Sequence, residues 1–225
     1  MPKTTPAINL PESMDLMDIS QLDELMHQLE ENVAKNPKDL RSLLMLGNSY
    51  YMRGKISTAI KIFEKAISVN PDLPYAYYYL GVSHYRRLQL VEAKKSLKKV
   101  IELSPNMLMA YYWLGMSYWH LGKYNKSRQA FETLLEKNND SPMAHYHAAL
   151  ACIEEQCFHC ALDHLEALLE IGENDSRVYY HLGNVYLRLN RIPEAIKAYK
   201  KGLELSPNNN KILEALSYLT DVQEP

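Results

Sequence analysis

Cysteine is scarce in this chain, and long hydrophobic runs are missing. The 225 residues include three cysteines, an odd number, and no stretch approaches the roughly 18 uninterrupted apolar residues of a membrane-spanning helix. The first seventeen residues carry three prolines, one cation (Lys3) and no apolar run, which is not the pattern of a secretory signal. We therefore expect a cytoplasmic protein without a membrane span, in which the thiols are reduced.

Motifs of catalytic and cofactor chemistry are also missing. The sequence contains no glycine-rich phosphate loop, nucleophile elbow or paired catalytic carboxylates, so we expect no enzymatic activity and no cofactor. The exception is a CxxC motif, Cys157-Phe158-His159-Cys160, with His164 four residues further along. A second ligand pair at zinc spacing and the βαβ context of a thioredoxin-like motif are both lacking. A thiol or metal sensor is one interpretation, and a turn that carries two small apolar thiols is the simpler one.

Neither sign of charge is in excess over the whole chain, but the charges are unevenly distributed. The formal net charge is −2, yet residues 40–107 hold eleven cations and four acids, whereas residues 142–175 hold seven acids and no lysine. The simpler interpretation is a solvated helix surface. The alternative is a polar molecule that steers a charged partner or stacks head to tail with itself.

The sequence is rich in one feature, a strict internal period. Gly47, Gly81 and Gly115 are evenly spaced, Gly183 follows at twice that spacing, and Ala149 stands at the missing position. A small residue thus recurs five times in one register without an insertion. A period of about 34 residues indicates a repeat protein.

Other positions of the repeat keep the same step when the repeats open at residues 40, 74, 108, 142 and 176. Positions 4, 7, 8 and 11 share one face of a first helix, and positions 20, 24 and 27 share one face of a second. Gly54 and Gly122 at position 15 predict the end of the first helix. Proline at position 32 predicts the end of the second helix in most repeats. Because Asn139 and Glu173 replace this proline in repeats three and four, we expect the junction of those two repeats to be the least regular.

This pattern resembles the tetratricopeptide repeat (TPR) family, which carries large residues at positions 4, 7, 11 and 24, small residues at 8 and 20, and proline at 32. The resemblance implies an all-α fold, a right-handed α-solenoid of tandem helix-turn-helix hairpins whose first helices line a concave side. The expected organisation is a flexible tail (1–17), a leading helix (18–36), five repeats within 37–207 (40–73, 74–107, 108–141, 142–175 and 176–209), a capping helix (210–219) and a terminal tail (220–225).

The resemblance also implies a ligand groove formed by positions 2, 5, 9, 12 and 13 of the first helices, with position 6 beside them. Four consecutive repeats carry tyrosine at position 5, which we expect to face solvent. Fourteen of the seventeen tyrosines and both tryptophans lie in the five predicted first helices. The candidate peptide-binding residues are Tyr78, Tyr112, Tyr146, Tyr180, Tyr85, Trp113, Met116, Trp119, Asn48 and Asn184.

Family members that bind chaperone tails hold a terminal carboxylate with lysine and asparagine side chains at fixed groove positions. This chain matches one of those positions with Asn48, while Leu44, Tyr79, Met109 and Trp113 occupy others. We therefore expect no carboxylate clamp.

The leading hypothesis is a non-enzymatic protein–protein interaction scaffold or chaperone-like adaptor, which binds an apolar or amphipathic segment of a protein or peptide client in an aromatic groove. An alternative is an RNA or single-strand binder that stacks bases on the tyrosines. Nucleic acid is the weaker hypothesis, since the net charge is slightly negative and the groove offers few cations. Self-association is a further option, because Ile8, Leu10 and Met14 give the tail apolar side chains that could dock in a groove.

Overall fold

The computed structural model describes residues 19–221, and all regular secondary structure in that range is helical, as the repeat pattern predicts. The described range folds into twelve helices: α1 Ile19–Lys35, α2 Leu40–Met52, α3 Ile56–Val69, α4 Pro74–Arg86, α5 Leu90–Leu103, α6 Leu108–His120, α7 Tyr124–Lys137, α8 Pro142–Glu154, α9 Phe158–Ile171, α10 Ser176–Arg188, α11 Ile192–Leu205 and α12 Asn210–Asp221. The tail predicted for residues 1–17 and the last four residues, 222–225, lie outside the described residues.

Helices α2 to α11 alternate between two lengths, and the pairs α2–α3, α4–α5, α8–α9 and α10–α11 pack as hairpins. The first helix spans 13 residues and the second 14 in every repeat. Each first helix is followed by the same left-handed turn at position 15, whose N–H groups bond back to the helix, so the ends predicted at the glycines are confirmed. The residues in this turn have φ between 59° and 76°: Gly54, Leu88, Gly122, Gln156 and Asn190.

Position 8 brings the two helices of a hairpin together too closely for a larger side chain. A Cβ atom built on Gly47 would lie 2.4 Å from the ring of Phe63, and one built on Gly183 would lie 2.3 Å from the ring of Tyr199. The large residue at position 24 therefore fills the space that the small residue at position 8 leaves open. This pairing explains why both positions recur with the same period.

The least regular junction lies one repeat later than the sequence predicts. Helix α7 ends at Lys137 and α8 begins at Pro142, so the loop between them has the same length as the loops at the other junctions. Helix α9 is instead capped by Gly172 at φ 98°, and the N–H of Glu173 bonds to the carbonyl oxygen of Leu168 at 2.9 Å. Position 31 has a negative φ, between −140° and −149°, in the other repeats, where it is Asn70, Ser104, Asn138 and Ser206. The prediction from position 32 was wrong because the residue at position 31 sets the cap.

Two further helices flank the hairpins. Helix α1 buries one face, formed by Leu22, Met26, Leu29 and Val33. It ends at Lys35, one residue before the predicted boundary, and Asp18 lies outside the described residues. Helix α12 buries Ile212 completely and continues to Asp221, two residues beyond the predicted boundary.

Contacts between residues divide the described part of the chain into two compact units, and the division lies between Ser117 and Tyr118, within α6. Each unit has its own apolar core. In the first unit Leu43 and Phe63 are fully buried, and in the second Leu165 and Leu168 are buried. Of the helices in the described range, none combines the length and the apolar character that crossing a bilayer requires.

Candidate functional site

The first helix of each hairpin carries aromatic side chains, but position 5 is more buried than expected. Tyr112 is 7% exposed, and Leu44, at the same position of the first repeat, is fully buried. Tyr78, Tyr146 and Tyr180 are half-buried. The expectation that position 5 faces solvent is wrong at Tyr112, which is buried. At Tyr78, Tyr146 and Tyr180, the following repeat or helix packs against part of the side chain.

Two of these tyrosines bind the following repeat through their hydroxyl groups. Trp113 Nε1 donates a hydrogen bond to Tyr78 Oη at 3.2 Å. The hydroxyl of Tyr146 lies 3.3 Å from His181 Nε2 in the equivalent hydrogen bond. Both pairs join position 5 of one repeat to position 6 of the next. These hydroxyl groups therefore belong to the junctions between repeats.

The rings at position 6 also bind neighbouring repeats, through their faces. The ring of Tyr79 stacks on Phe63, with centroids 5.5 Å apart, and the ring of His147 stacks on Phe131 at 5.6 Å. In the same two repeats the ring at position 5 meets the ring at position 6 edge to face, at 5.2 Å and 5.5 Å. Edge-to-face and offset arrangements are the favourable geometries for aromatic pairs. Much of the aromatic content thus stabilises the stacking of repeats.

Burial also sets the acid–base properties of these rings. It raises the pKa of Tyr78 and of Tyr146 above the ordinary tyrosine value. Burial, together with the cations Lys211 and Arg177, lowers the pKa of His181 to about 4. These groups are neutral at pH 7, so they present ring faces and dipoles rather than charge to a partner.

The other predicted aromatic residues make further ring contacts. Tyr85 packs on Trp113 with centroids 5.1 Å apart, and Trp119 meets Tyr124 edge to face at 5.1 Å. Lys211 of α12 lies over the ring of Tyr180, 5.8 Å from its centroid. Met116 is half-buried on α6.

Both predicted asparagines make contacts within their own hairpin or helix. The hydroxyl of Tyr199 donates a hydrogen bond to Asn184 Oδ1 at 2.6 Å. The amide nitrogen of Asn48 lies 3.9 Å from the sulfur of Met52. The side-chain amide oxygen of Asn184 thus already accepts a hydrogen bond that holds α11 against α10.

Two methionines that are not among the candidate binding residues from the sequence belong to the exposed apolar residues. Met109 and Met143, at position 2, are 45% and 54% exposed. Met143 lines a cleft of about 380 Å³ with Tyr146 and Arg177, which we call the Met143 cleft. Position 2 belongs to the groove positions of the family, so the position was a usable signal. Methionine alone does not distinguish a core from a surface.

A larger cleft, of about 590 Å³, lies further along the same two first helices, and we call it the α8–α10 cleft. Ile153 and Glu154 line it from α8, and Leu187 and Arg188 line it from α10. Phe158 lines it from the start of α9, and the Arg188 guanidinium lies over the Phe158 ring at 6.0 Å. The lining therefore combines an apolar wall with one charge of each sign. Such a surface suits an amphipathic ligand.

The first unit has an equivalent arginine at position 13. The Arg86 guanidinium lies over the ring of Tyr51, 5.0 Å from the centroid, and donates a hydrogen bond to the Tyr51 carbonyl oxygen at 3.2 Å. Position 12 of one repeat and position 13 of the next thus form a cation–π pair. Arginine and tyrosine are common among the residues that dominate protein interfaces.

Grooves also lie between successive second helices, on the outer side of each unit. One groove, in the first unit, includes Ile67, and the corresponding groove of the second unit includes Ile196. We call them the outer grooves. Tyrosine and lysine line both at equivalent repeat positions: Tyr77, Lys95 and Lys99 in the first unit, and Tyr179, Lys197 and Lys201 in the second.

The CxxC motif is not a pair of free thiols, in contrast to the sequence expectation. Cys157 and Cys160 form a disulfide, with their Cα atoms 5.5 Å apart. Residues three apart at the start of a helix lie on the same side, which brings the two sulfurs together. Cys152 is free and fully buried. Within residues 19–221, no group of three histidine, cysteine or acidic side chains is positioned to hold a metal ion.

Two family models match parts of the chain. Residues 52–134 match the model of subunit 3 of the anaphase-promoting complex, or cyclosome, and residues 176–209 match the tetratricopeptide repeat. No curated protein matches the chain.

Solved structures share the fold at low sequence identity. YrrB, described as a TPR protein with an unusual peptide-binding site, has a TM-score of 0.76 at 18% identity, covering 84% of this chain and 97% of YrrB. PilF of Pseudomonas aeruginosa has a TM-score of 0.73 at 15% identity, covering 88% and 90%. A chain of the Cut9–Hcn1 hetero-tetramer of the anaphase-promoting complex has a TM-score of 0.63 at 20% identity, covering 89% of this chain and 40% of that one.

The tandem repeats of two helices and these structural relatives define a helical-repeat protein of the α-solenoid class. Within that class, the chain is a tetratricopeptide repeat protein. The predicted family and the predicted all-α class are confirmed.

Proposed function

We propose that this protein is a non-enzymatic scaffold or chaperone-like adaptor that holds an apolar or amphipathic segment of a client protein against its first helices. The observation that carries the proposal is the α8–α10 cleft, which is lined by positions 12 and 13 of both first helices and by position 9 of α10. These are groove positions in the family that the sequence resembles. The Met143 cleft lies on the same two helices, at their beginning.

The spacing of the two clefts suggests what a client segment contains. About ten residues along a first helix separate position 2, where Met143 lies, from position 12, or roughly 15 Å at 1.5 Å per residue. An extended peptide covers that distance with about four residues. We therefore expect two apolar anchors about four residues apart, with an acidic residue next to the anchor that meets Arg188.

The energetics favour moderate affinity. Burying one leucine-sized anchor in each cleft contributes about 1.5–3 kcal/mol. An exposed ion pair with Arg188 adds up to about 1 kcal/mol. Ordering the segment offsets part of this gain, so we expect dissociation constants in the micromolar range only when further contacts contribute.

The experiment selects peptides from a displayed random library on the native protein and measures their affinity by fluorescence anisotropy. We expect Leu187→Ser and Arg188→Glu each to weaken the selected peptides at least tenfold. Lys200→Glu is the matched control, because it reverses an exposed charge on α11, away from the cleft. If Arg188→Glu and Lys200→Glu weakened peptide affinity equally, or if neither weakened it, the result would contradict the proposed binding surface.

A second pair of variants tests the role of Tyr146 in the Met143 cleft. Because its hydroxyl group is engaged with His181, the ring face is the part that a client would contact. Tyr146→Phe should therefore retain peptide affinity within about twofold, whereas Tyr146→Ala should weaken it by removing the wall of the cleft. A loss of affinity in Tyr146→Phe would show that the hydroxyl group binds the client.

Two further expectations stay predictions, namely a cytoplasmic location and self-association. Subcellular fractionation tests the first. Light scattering over a range of protein concentrations tests the second.

A further inference from the structure

The disulfide at the beginning of α9 is a feature that the scaffold function does not use. Cys157 is the N-cap residue of the helix, and Cys160 lies in its first turn. Both residues are partly exposed, and His159 between them is exposed. The disulfide is therefore open to reagents in solution.

The start of the helix favours thiolate chemistry at Cys157. The first N–H groups of any α-helix lack partners within the helix, and here no side chain caps them. The first turn of α9 also carries no acid. A thiolate at the N-cap faces those N–H groups and the positive end of the helix dipole, an arrangement that makes a thiol more acidic and more reactive.

Stability does not account for the pairing of these two cysteines. In the chain-entropy account, the shortest loops give the smallest stabilisation, and this disulfide spans a sequence separation of three residues. Burial raises the pKa of the third thiol, Cys152, to about 12, so that it is protonated and unreactive at pH 7. The pair and the single thiol thus have different chemistry.

We propose that Cys157 and Cys160 form a reversible disulfide that exchanges with the disulfide of a small thiol such as glutathione. In the oxidising direction, the Cys157 thiolate attacks one sulfur of glutathione disulfide. The bond between the two glutathione sulfurs breaks, and one glutathione thiolate leaves and takes a proton from solvent. Cys160 then gives its proton to solvent and attacks the Cys157 sulfur, and the second glutathione leaves as a thiol. Two electrons pass from the protein thiols to glutathione disulfide, and the reverse reaction restores both thiols.

The exchange site adjoins the α8–α10 cleft through Phe158, one of the two residues between the cysteines. Phe158 lines the cleft, and Arg188 lies over its ring at 6.0 Å. The exchange reaction itself does not depend on client binding, so it is tested separately.

The experiment equilibrates the full chain with glutathione at reduced-to-oxidised ratios from 1:1 to 1000:1, quenches with acid, and alkylates the free thiols in denaturant. Mass spectrometry then counts the alkylated cysteines. We expect the count to rise from one to three within this series. Cys152→Ala is the matched control and should rise from zero to two over the same range.

Single variants test the order of attack. Cys160→Ser should accumulate a glutathione adduct on Cys157, and Cys157→Ser should form at least tenfold less adduct on Cys160. Circular dichroism establishes that each variant is folded, and the titration of the unmodified chain stands even where a variant is not. A count that stays at one or at three across the series overturns the proposal, and so does equal adduct formation at the two cysteines.

Discussion

The ring of Tyr112 lies in the protein interior and meets Trp113 edge to face, with the centroids 5.3 Å apart. Removing this ring leaves a cavity that the surrounding side chains refill only in part. We predict that Tyr112→Ala lowers the free energy of unfolding by about 3 kcal/mol. Tyr112→Phe keeps the ring and should cost less than about 1 kcal/mol.

Urea denaturation followed by circular dichroism measures both changes. Tyr218→Ala is the control, since this tyrosine is 72% exposed and should have almost no effect. A Tyr112→Ala variant as stable as the control would show that the residue is not part of the core.

Leu88 has a backbone conformation that glycine adopts more readily. Its φ is 59°, and it is 73% exposed, while Gly54 and Gly122 occupy the same turn in two other repeats. A left-handed conformation costs a non-glycine residue about 1–2 kcal/mol, and a substitution by glycine removes this cost. The larger conformational entropy of glycine in the unfolded state offsets part of the resulting gain in stability. We predict that Leu88→Gly raises the free energy of unfolding by roughly 0.5–1 kcal/mol, which is observed as a higher midpoint of urea unfolding. The reverse substitution, Gly54→Leu, should lower it, and a lower midpoint in Leu88→Gly would contradict the argument.

His181 makes the stability of the second unit depend on pH. Burial holds its pKa at about 4, below the ordinary value of 6.5, so the folded protein favours the neutral ring. The unfolded chain takes up a proton as the pH falls through 6.5, and the stabilisation, complete above that pH, is lost progressively toward pH 4. We predict that this residue lowers the free energy of unfolding at pH 5 by on the order of 2 kcal/mol relative to pH 7. Tyr146, Arg177 and Lys211 are the polar groups that act on it.

The comparison of urea unfolding at pH 7 and pH 5 checks this prediction. His181→Gln cannot titrate and should reduce the difference between the two conditions, although His164, whose pKa burial also lowers, leaves some dependence. His159→Gln changes an exposed histidine and should leave the difference as it is. An equal pH dependence in His181→Gln and the unmodified chain would refute the assignment.

The hairpin is the element that the repeat pattern predicts best. Small residues at position 8 and large residues at position 24 are in contact within it, so the period of the sequence reports a contact between two helices. The cap of α9 could not be predicted from proline, because a glycine at position 31 takes the left-handed conformation directly before it. Similarly, position 5 looked exposed because its partners lie far along the sequence, in the next repeat, as in the pair of Tyr78 and Trp113.

A double-mutant cycle tests the helix contact in the last hairpin. Gly183→Ala places a Cβ atom 2.3 Å from the ring of Tyr199, so the ring or a helix must shift. We predict a loss of about 1–3 kcal/mol, as for other overpacked cores. In a Tyr199→Leu background the same substitution should cost less, because the fourth repeat pairs Ala149 with leucine at position 24. Equal costs in the two backgrounds would show that the two positions are not coupled.

For the chain as a whole, the sequence predicted the family and its helical class, but not the surface that is left for a ligand. The aromatic side chains concentrate in the first helices, as their positions in the repeat predict. The hydroxyl group of Tyr146 is engaged between repeats, and so is the ring face of Tyr79, which stacks on Phe63. The structure was therefore needed to identify which side chains are exposed, and it contains clefts beside Met143 and Arg188.

The proposed function requires the client to bind the first helices of the second unit and not the outer grooves. Methyl resonances of methionine and isoleucine report on both surfaces, because Met143 and Ile153 line the two clefts and Ile67 and Ile196 line the outer grooves. On titration with a selected peptide, we predict saturable shifts at Met143 and Ile153, with Ile67 and Ile196 unchanged. Shifts confined to Ile67 or Ile196 would contradict the proposal.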